Sequence, residues 1–179
     1  MNENLIKLDR EKYDYFPLKY RYFSSEHYKA KVCAQKDRMA LEFVREPLKE
    51  PCSFENTDTL FQEYWNVPES YAIFDDDGNM CAVTEFDFEE WNNRMRITQM
   101  LVYEPYRKKG LGKKLMDFAK QTALDRDYRM IVVETQSNNT NAIDFYMSQG
   151  FVFCGSNVYF YSNDDIGEDE VMIELAFLF

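Results

Sequence analysis

The run Arg107-Lys108-Lys109-Gly110-Leu111-Gly112-Lys113 combines two glycines with four basic side chains, in a chain that is otherwise acidic. It falls where an apolar strand pattern at residues 95–102 gives way to helical spacing of Leu111, Leu115, Phe118 and Ala119. Glycine lets a ligand approach the backbone closely, and the first turn of a helix has N–H groups with no partner inside the helix. The helix dipole favours an anion there by about 0.3–1 kcal/mol. A phosphate or pyrophosphate is the ligand such a loop suits. A glycine turn followed by solvated lysines would read the same way, so the loop alone does not separate the two. The P-loop and the dinucleotide fingerprint need further glycines or a hydroxyl residue at positions where this chain has neither.

Other reactive side chains point away from metal or thiol chemistry. His27 is the one histidine, and Cys33, Cys52, Cys81 and Cys154 are widely spaced without a C-x-x-C pair. A zinc site and a Cys-His nucleophile are not expected; packed free thiols and a packing role for His27 are. No metal is implied. Lys and Arg number 21 against 32 Asp and Glu, for a net charge of -11. That field repels nucleic-acid phosphates and anionic lipid, and it suits a cationic small molecule as partner, or serves solubility alone. No apolar stretch reaches the ~20 residues of a membrane span. The start, Met1-Asn2-Glu3-Asn4-Leu5-Ile6-Lys7, lacks a signal-peptide core, which predicts a cytoplasmic protein.

The elements that must position the loop are legible from residue 71 onward. Tyr71-Ala72-Ile73-Phe74 and Met80-Cys81-Ala82-Val83-Thr84 flank an Asp-Gly turn and predict a β-hairpin. A third antiparallel strand is expected at 95–102, a helix from the glycines to the charged turn at 125–127, and a buried strand at 130–134. Strand, helix, strand predicts a parallel pair. A short helix at 141–147 should end at Gly150, and strands at 151–154 and 171–177 should pair. Residues 1–66, interrupted by Pro17, Pro47 and Pro51, read as one short strand and irregular helical pieces. Residues 20–23 fit a strand, 38–43 a strand or helix, and 57–65 a helix capped by Asn56 or Thr57. The length and the 45% hydrophobic content predict one domain over 1–179 with no internal boundary.

Arg107-x-x-Gly110-x-Gly112 after an apolar strand resembles the acetyl-CoA pyrophosphate loop of the GNAT acetyltransferases. Strand 130–134, the Asn-rich loop, Ala142-Ile143-Asp144-Phe145-Tyr146 and Gly150-Phe151 are similar to that family's second block, in element order over 71–179. Within the family, Glu134-Thr135-Gln136-Ser137-Asn138-Asn139 followed by Phe145-Tyr146 looks like the streptothricin acetyltransferases. The resemblance implies the α/β GNAT fold, a mixed antiparallel and parallel sheet flanked by helices. It also implies acetyl transfer from acetyl-CoA to a primary amine of a cationic acceptor, such as streptothricin. Polyamine or metabolite acetylation, protein-amine acetylation, and a non-catalytic acyl-CoA-binding domain stay open, as do a monomer and a homodimer.

Acetyl transfer to an amine needs an anchored donor, a neutral amine, an oxyanion stabiliser and a proton for the departing thiolate. The resemblance assigns Arg107, Lys108, Lys109, Gly110, Leu111, Gly112 and Lys113 to the pyrophosphate, and backbone N–H groups near Leu101 and Val102 to the thioester. It assigns Asn141 to the cofactor, although a helix cap explains an asparagine there equally, and Tyr146 to the thiolate proton. Many relatives carry an acid on the strand before the loop, where this chain has Thr98 and Gln99. Glu85 and Glu134 are then the candidate bases; each also fits a plain strand-end residue. Asp87, Glu89 and Glu90 beside Trp91 are candidates for acceptor recognition or for simple solvation.

Overall fold

The structure, a computed structural model, describes residues 5–179; Met1, Asn2, Glu3, Asn4 and the side chain of Cys52 lie outside the described residues, and with them the expectations placed there. Residue contacts divide the chain into two compact units. The first takes the residues up to Tyr20, Asn56–Val133 and Ala176–Phe179; the second takes Arg21–Glu55 and Glu134–Leu175.

In the first unit the strand order is β1 (Ile6–Lys7), β4 (Glu69–Phe74), β5 (Met80–Glu89), β6 (Arg94–Val102) and β7 (Met130–Gln136). The β4–β5 hairpin forms as expected: the Asp75 carboxylate accepts from the N–H groups of Asp77 at 3.0 Å and Asn79 at 2.8 Å, and Gly78 takes φ 82°. β4, β5 and β6 are antiparallel, and β6 and β7 are parallel. A crossover between the parallel strands requires a long connection, supplied by α2 (Leu111–Asp125).

Alternation along the strands makes two apolar faces. Ile73 and Ala82 meet Leu111 and Leu115 of α2, and Phe118 lies 4.8 Å from the Tyr71 ring and 6.0 Å from Phe86. On the opposite face Ala72, Val83 and Leu101 pack against Leu8, Leu18, Leu60 and Phe61. A short α1 (Arg10–Tyr13), capped by Asp9, precedes Leu18.

The second unit has strand order β7, β9 (Met172–Leu178), β8 (Val152–Asn157), with β8 beside β9 as expected. It also holds α3 (Thr140–Ser148), closed by Gly150 at φ 89°. A separate two-stranded sheet pairs β2 (Pro17–Gln35) with β3 (Arg38–Thr59). Among the described residues no helix is long and apolar enough to cross a membrane.

Of the elements expected before residue 66, a short strand (β1), one helical piece (α1) and the strand at 20–23 form, but the other helical pieces do not. Residues 17–59 are two long strands joined at Lys36 and Asp37, and 38–43 is strand. A ribbon of two strands leaves each strand one unpaired edge, where a proline removes no hydrogen bond that the sheet needs. The helix expected at 57–65 is also absent. β3 runs to Thr59, and Leu60 and Phe61, at 0% and 2% exposure, turn into the core, Phe61 at φ 57° where a helix cannot continue.

Candidate active site

The basic loop is set at the C-terminal end of β6. Tyr103 N–H donates to the Cys81 carbonyl at 3.0 Å, and a 3-10 turn follows over Glu104–Tyr106. The Tyr106 hydroxyl donates to Asp75 at 2.5 Å, tying the loop's base to the β4–β5 turn, while Lys109 lies 5.3 Å over the Tyr106 ring. That bond holds the Asp75 carboxyl down at about 2 and, from the other side, pushes the Tyr106 phenol up to about 12. Lys108 and Gly110 take φ 60° and φ 83°, and α2 then opens on Gly110 with no capping side chain and no acid in its first turn. Arg107, Lys108, Lys109 and Lys113 are all exposed. Arg107 Nε donates back to the Val102 carbonyl at 3.0 Å, and Lys113 pairs with Asp117 at 2.6 Å.

The strand register sharpens the backbone assignment. Tyr103 N–H faces β5, so strand alternation turns Leu101 N–H toward β5 and Val102 N–H away from it. The β6–β7 ladder covers Arg94 to Ile97 against Met130 to Val133, and β6 continues beyond its last paired residue. At that point the β5–β6 register steps from Glu85↔Gln99 to Phe86↔Ile97, which makes Thr98 the extra residue of a β-bulge.

Glu85 is fully buried on the face opposite α2. Its Oε2 accepts from Ser70 Oγ at 2.5 Å and from Phe61 N–H at 2.8 Å, and its Oε1 accepts from Thr98 Oγ1 at 2.9 Å. Burial pushes its pKa up, against these hydrogen bonds, and Asp58 raises it further. Directly opposite, Gln99 is 4% exposed: its amide donates to Asp58 Oδ2 at 2.8 Å, and its carbonyl accepts from Tyr20 OH at 2.6 Å. Asp58 was not among the residues singled out by sequence. Its Asn-Thr-Asp-Thr surroundings read as a helix cap, and the alternating Thr57 and Thr59 were the strand signal in them.

In the second unit Tyr146 is buried on α3, its ring 5.5 Å from Phe145 and 5.8 Å from Phe151. Burial raises its phenol well above the ordinary value. α3 opens at Thr140 with Asn139, not Asn141, as its cap: Asn139 Oδ1 accepts from Ala142 N–H at 3.2 Å. Asn141 instead donates to the Phe23 carbonyl at 2.8 Å. Glu134 accepts from Tyr161 OH at 2.8 Å, and burial followed by this carboxylate raises the Tyr161 phenol.

Two of the three acids at the hairpin end are already engaged. Asp87 is buried and accepts from Val67 N–H at 2.9 Å, and Glu89 binds Arg94 and Arg96, which hold its carboxyl low although burial alone would raise it. Trp91, 85% exposed, borders a cleft of about 540 Å³ with Glu90, Phe88 and Tyr128. It precedes β6, whereas the basic loop follows it, so the strand's nine residues, about 30 Å at ~3.3 Å each, separate the two.

Comparison with known proteins agrees with this architecture. The profile of the Acetyltransferase (GNAT) family matches residues 38–151, more than half of the chain. The chain is 37% identical over 71 residues to a streptothricin acetyltransferase of Escherichia coli, covering 40% of this chain and 41% of that protein. It is 33% identical over 79 residues to one from Streptomyces lavendulae, covering 44% and 42%. The alignments thus span about two fifths of these relatives. Among solved structures, a nourseothricin acetyltransferase superposes with a TM-score of 0.74 at 19% identity, covering 99% of both chains. A Bacillus anthracis (str. Ames) protein assigned as a streptothricin acetyltransferase, in complex with acetyl coenzyme A, gives 0.73 at 24% identity, covering 100% of this chain and 98% of that one. With a mixed sheet, a β-bulge beside the parallel pair and a basic glycine loop opening α2, the chain belongs to the GNAT acetyltransferase family.

Proposed function

We propose that this protein transfers acetyl from acetyl-CoA to a primary amine of a cationic small molecule of the streptothricin class. The observation that carries this reading is the helix start at Gly110: a left-handed glycine, no capping side chain, no acid in the first turn and exposed cations around it. These features fit a pyrophosphate, and the relatives' names point to streptothricin as acceptor.

In this reading acetyl-CoA supplies an activated acyl group. The loop residues Arg107 to Lys113 hold its pyrophosphate, and Val102 N–H, turned away from β5, is aimed to bind the acyl oxygen, a role Leu101 N–H does not share. Tyr146 supplies the proton to the thiolate; the assignment rests on its place after the Asn-rich loop, and because burial raises its phenol, positioning must assist the transfer. Asn141 remains a cofactor contact in this proposal only by exchanging its bond to Phe23. Of the two carboxylates considered as base, Glu85 is fully buried behind three donors and Glu134 receives the Tyr161 hydroxyl, so each backs a neighbouring group. The single-domain organisation and a cytoplasmic location belong to the same proposal.

The test is acetyl-CoA-dependent thiol release against streptothricin, spermidine, lysine and a lysine peptide. Release with streptothricin at a kcat/KM far above the others is expected. Preference for spermidine or the peptide would reassign the acceptor, and acetyl-CoA binding without turnover on any amine would favour an acyl-CoA-binding domain.

A further inference from the structure

An alkylammonium acceptor must lose a proton before its nitrogen can attack, at a cost of about 4.6 kcal/mol at neutral pH from a pKa near ~10.4. β6 has no carboxylate beside its bulge; Thr98 and Gln99 occupy those positions. Each of the two nonetheless points its donor at a carboxylate from another element. Thr98 Oγ1 donates to Glu85 on β5, and Gln99 Nε2 donates to Asp58 near the end of β3.

The two acids differ in access. Glu85 is fully enclosed, whereas Asp58 is half-buried. Asp58 Oδ1 accepts from Thr59 N–H at 2.7 Å and from Gln62 Nε2, and Oδ2 from Gln99 at 2.8 Å. All of these donors, and those of Glu85, are neutral; among the described residues no lysine or arginine pairs with either acid. Carboxylates withdrawn from water are costly unless a cation compensates them. Here the counter-charge is missing at the one place where β6 leaves its ladder with β7.

We infer that Asp58 is the catalytic base: it binds the acceptor's ammonium and takes its proton, with Gln99 as the positioning residue that fixes the carboxylate. The inference rests on the acetyltransferase reading above. Asp58 removes one proton from the ammonium and the freed lone pair forms the N–C bond as the C–S bond breaks. The nitrogen then sheds a second proton, which balances the one that the thiolate acquires, and Asp58 returns its own proton to solvent. Glu85, enclosed behind Thr98, does not contact the acceptor.

The experiment compares wild type, Asp58→Asn and the exchange variant Asp58→Asn/Gln99→Glu, with streptothricin as acceptor. Asp58→Asn should lower kcat/KM for the acceptor by roughly 100-fold or more. Its acetyl-CoA affinity by calorimetry should stay within about twofold, since the basic loop is untouched. The exchange moves the carboxylate across its own hydrogen bond, and it should recover at least about tenfold of the loss. Asp58→Asn turnover near wild type, or a loss that the exchange does not recover, would overturn the inference. An inactive wild type would instead reject the functional reading on which it rests.

Discussion

Tyr146 shows what can be argued from a single side chain. Its burial among Phe145 and Phe151 raises the phenol above its ordinary value, so in the proposed role proton transfer to a thiolate of pKa ~8.5 is uphill and depends on positioning. Tyr146→Phe removes the proton and little volume, so kcat should fall by roughly 100-fold while acetyl-CoA affinity is retained; equal loss of both in steady-state kinetics and calorimetry would make Tyr146 a packing residue. The sequence exposed Tyr146 because it stands at a fixed place after an Asn-rich loop. Asp58 carried no such mark. Its relation to Gln99 and Glu85 depends on a chain reversal at Phe61 and on a bulge at Thr98, and no local pattern encodes which residues those bring together.

At the scale of elements, the basic loop depends on the β4–β5 turn. Tyr106 hydrogen-bonds Asp75 immediately before the loop begins, and Asp75 stays ionised down to a pH of about 2, so the tie persists throughout the working range. Tyr106→Phe deletes that bond, together with the hydroxyl's contact to Cys81, and should weaken acetyl-CoA binding several-fold, with the melting temperature changed by only a few degrees. Gly110→Val has open space for its side chain but must hold φ near 83°, which β-branched residues resist. It should cost more affinity than Tyr106→Phe, and unchanged calorimetric affinity would detach the loop from the cofactor. The elements from 69 onward were legible because their periods are clean: alternation in β4 to β6, helical spacing in α2, glycine at the turns. β2 and β3 were legible only in fragments, at 20–23 and ambiguously at 38–43, because a two-stranded ribbon tolerates proline and places charged residues among its aromatics, which blurs both periods.

Over the whole molecule, the net charge of -11 should accelerate encounter with a cationic acceptor and oppose an anionic cofactor. Raising the salt should therefore raise KM for streptothricin more than KM for acetyl-CoA. Stability should also respond to acid with a definite sign. Glu69 and Glu89 are shifted below their ordinary 4.5: burial pushes each up, and hydrogen bonds outweigh it, from Arg126, Tyr71 and Lys7 to Glu69 and from Arg94, Arg96 and Asn92 to Glu89. Their contribution is present above pH ~4.5 and is lost as the pH falls through the depressed values. Glu85 is shifted the other way, so protonating it relieves a penalty as the pH falls. Glu89→Gln should therefore flatten the decline of melting temperature between about pH 5 and pH 3, and an unchanged slope would show that its arginine bonds add no net stability.

The most direct measurement is mass spectrometry of streptothricin after incubation with the purified protein and acetyl-CoA. The account predicts a singly acetylated product that requires both the protein and acetyl-CoA. Unmodified streptothricin, from protein shown to bind acetyl-CoA, would contradict it.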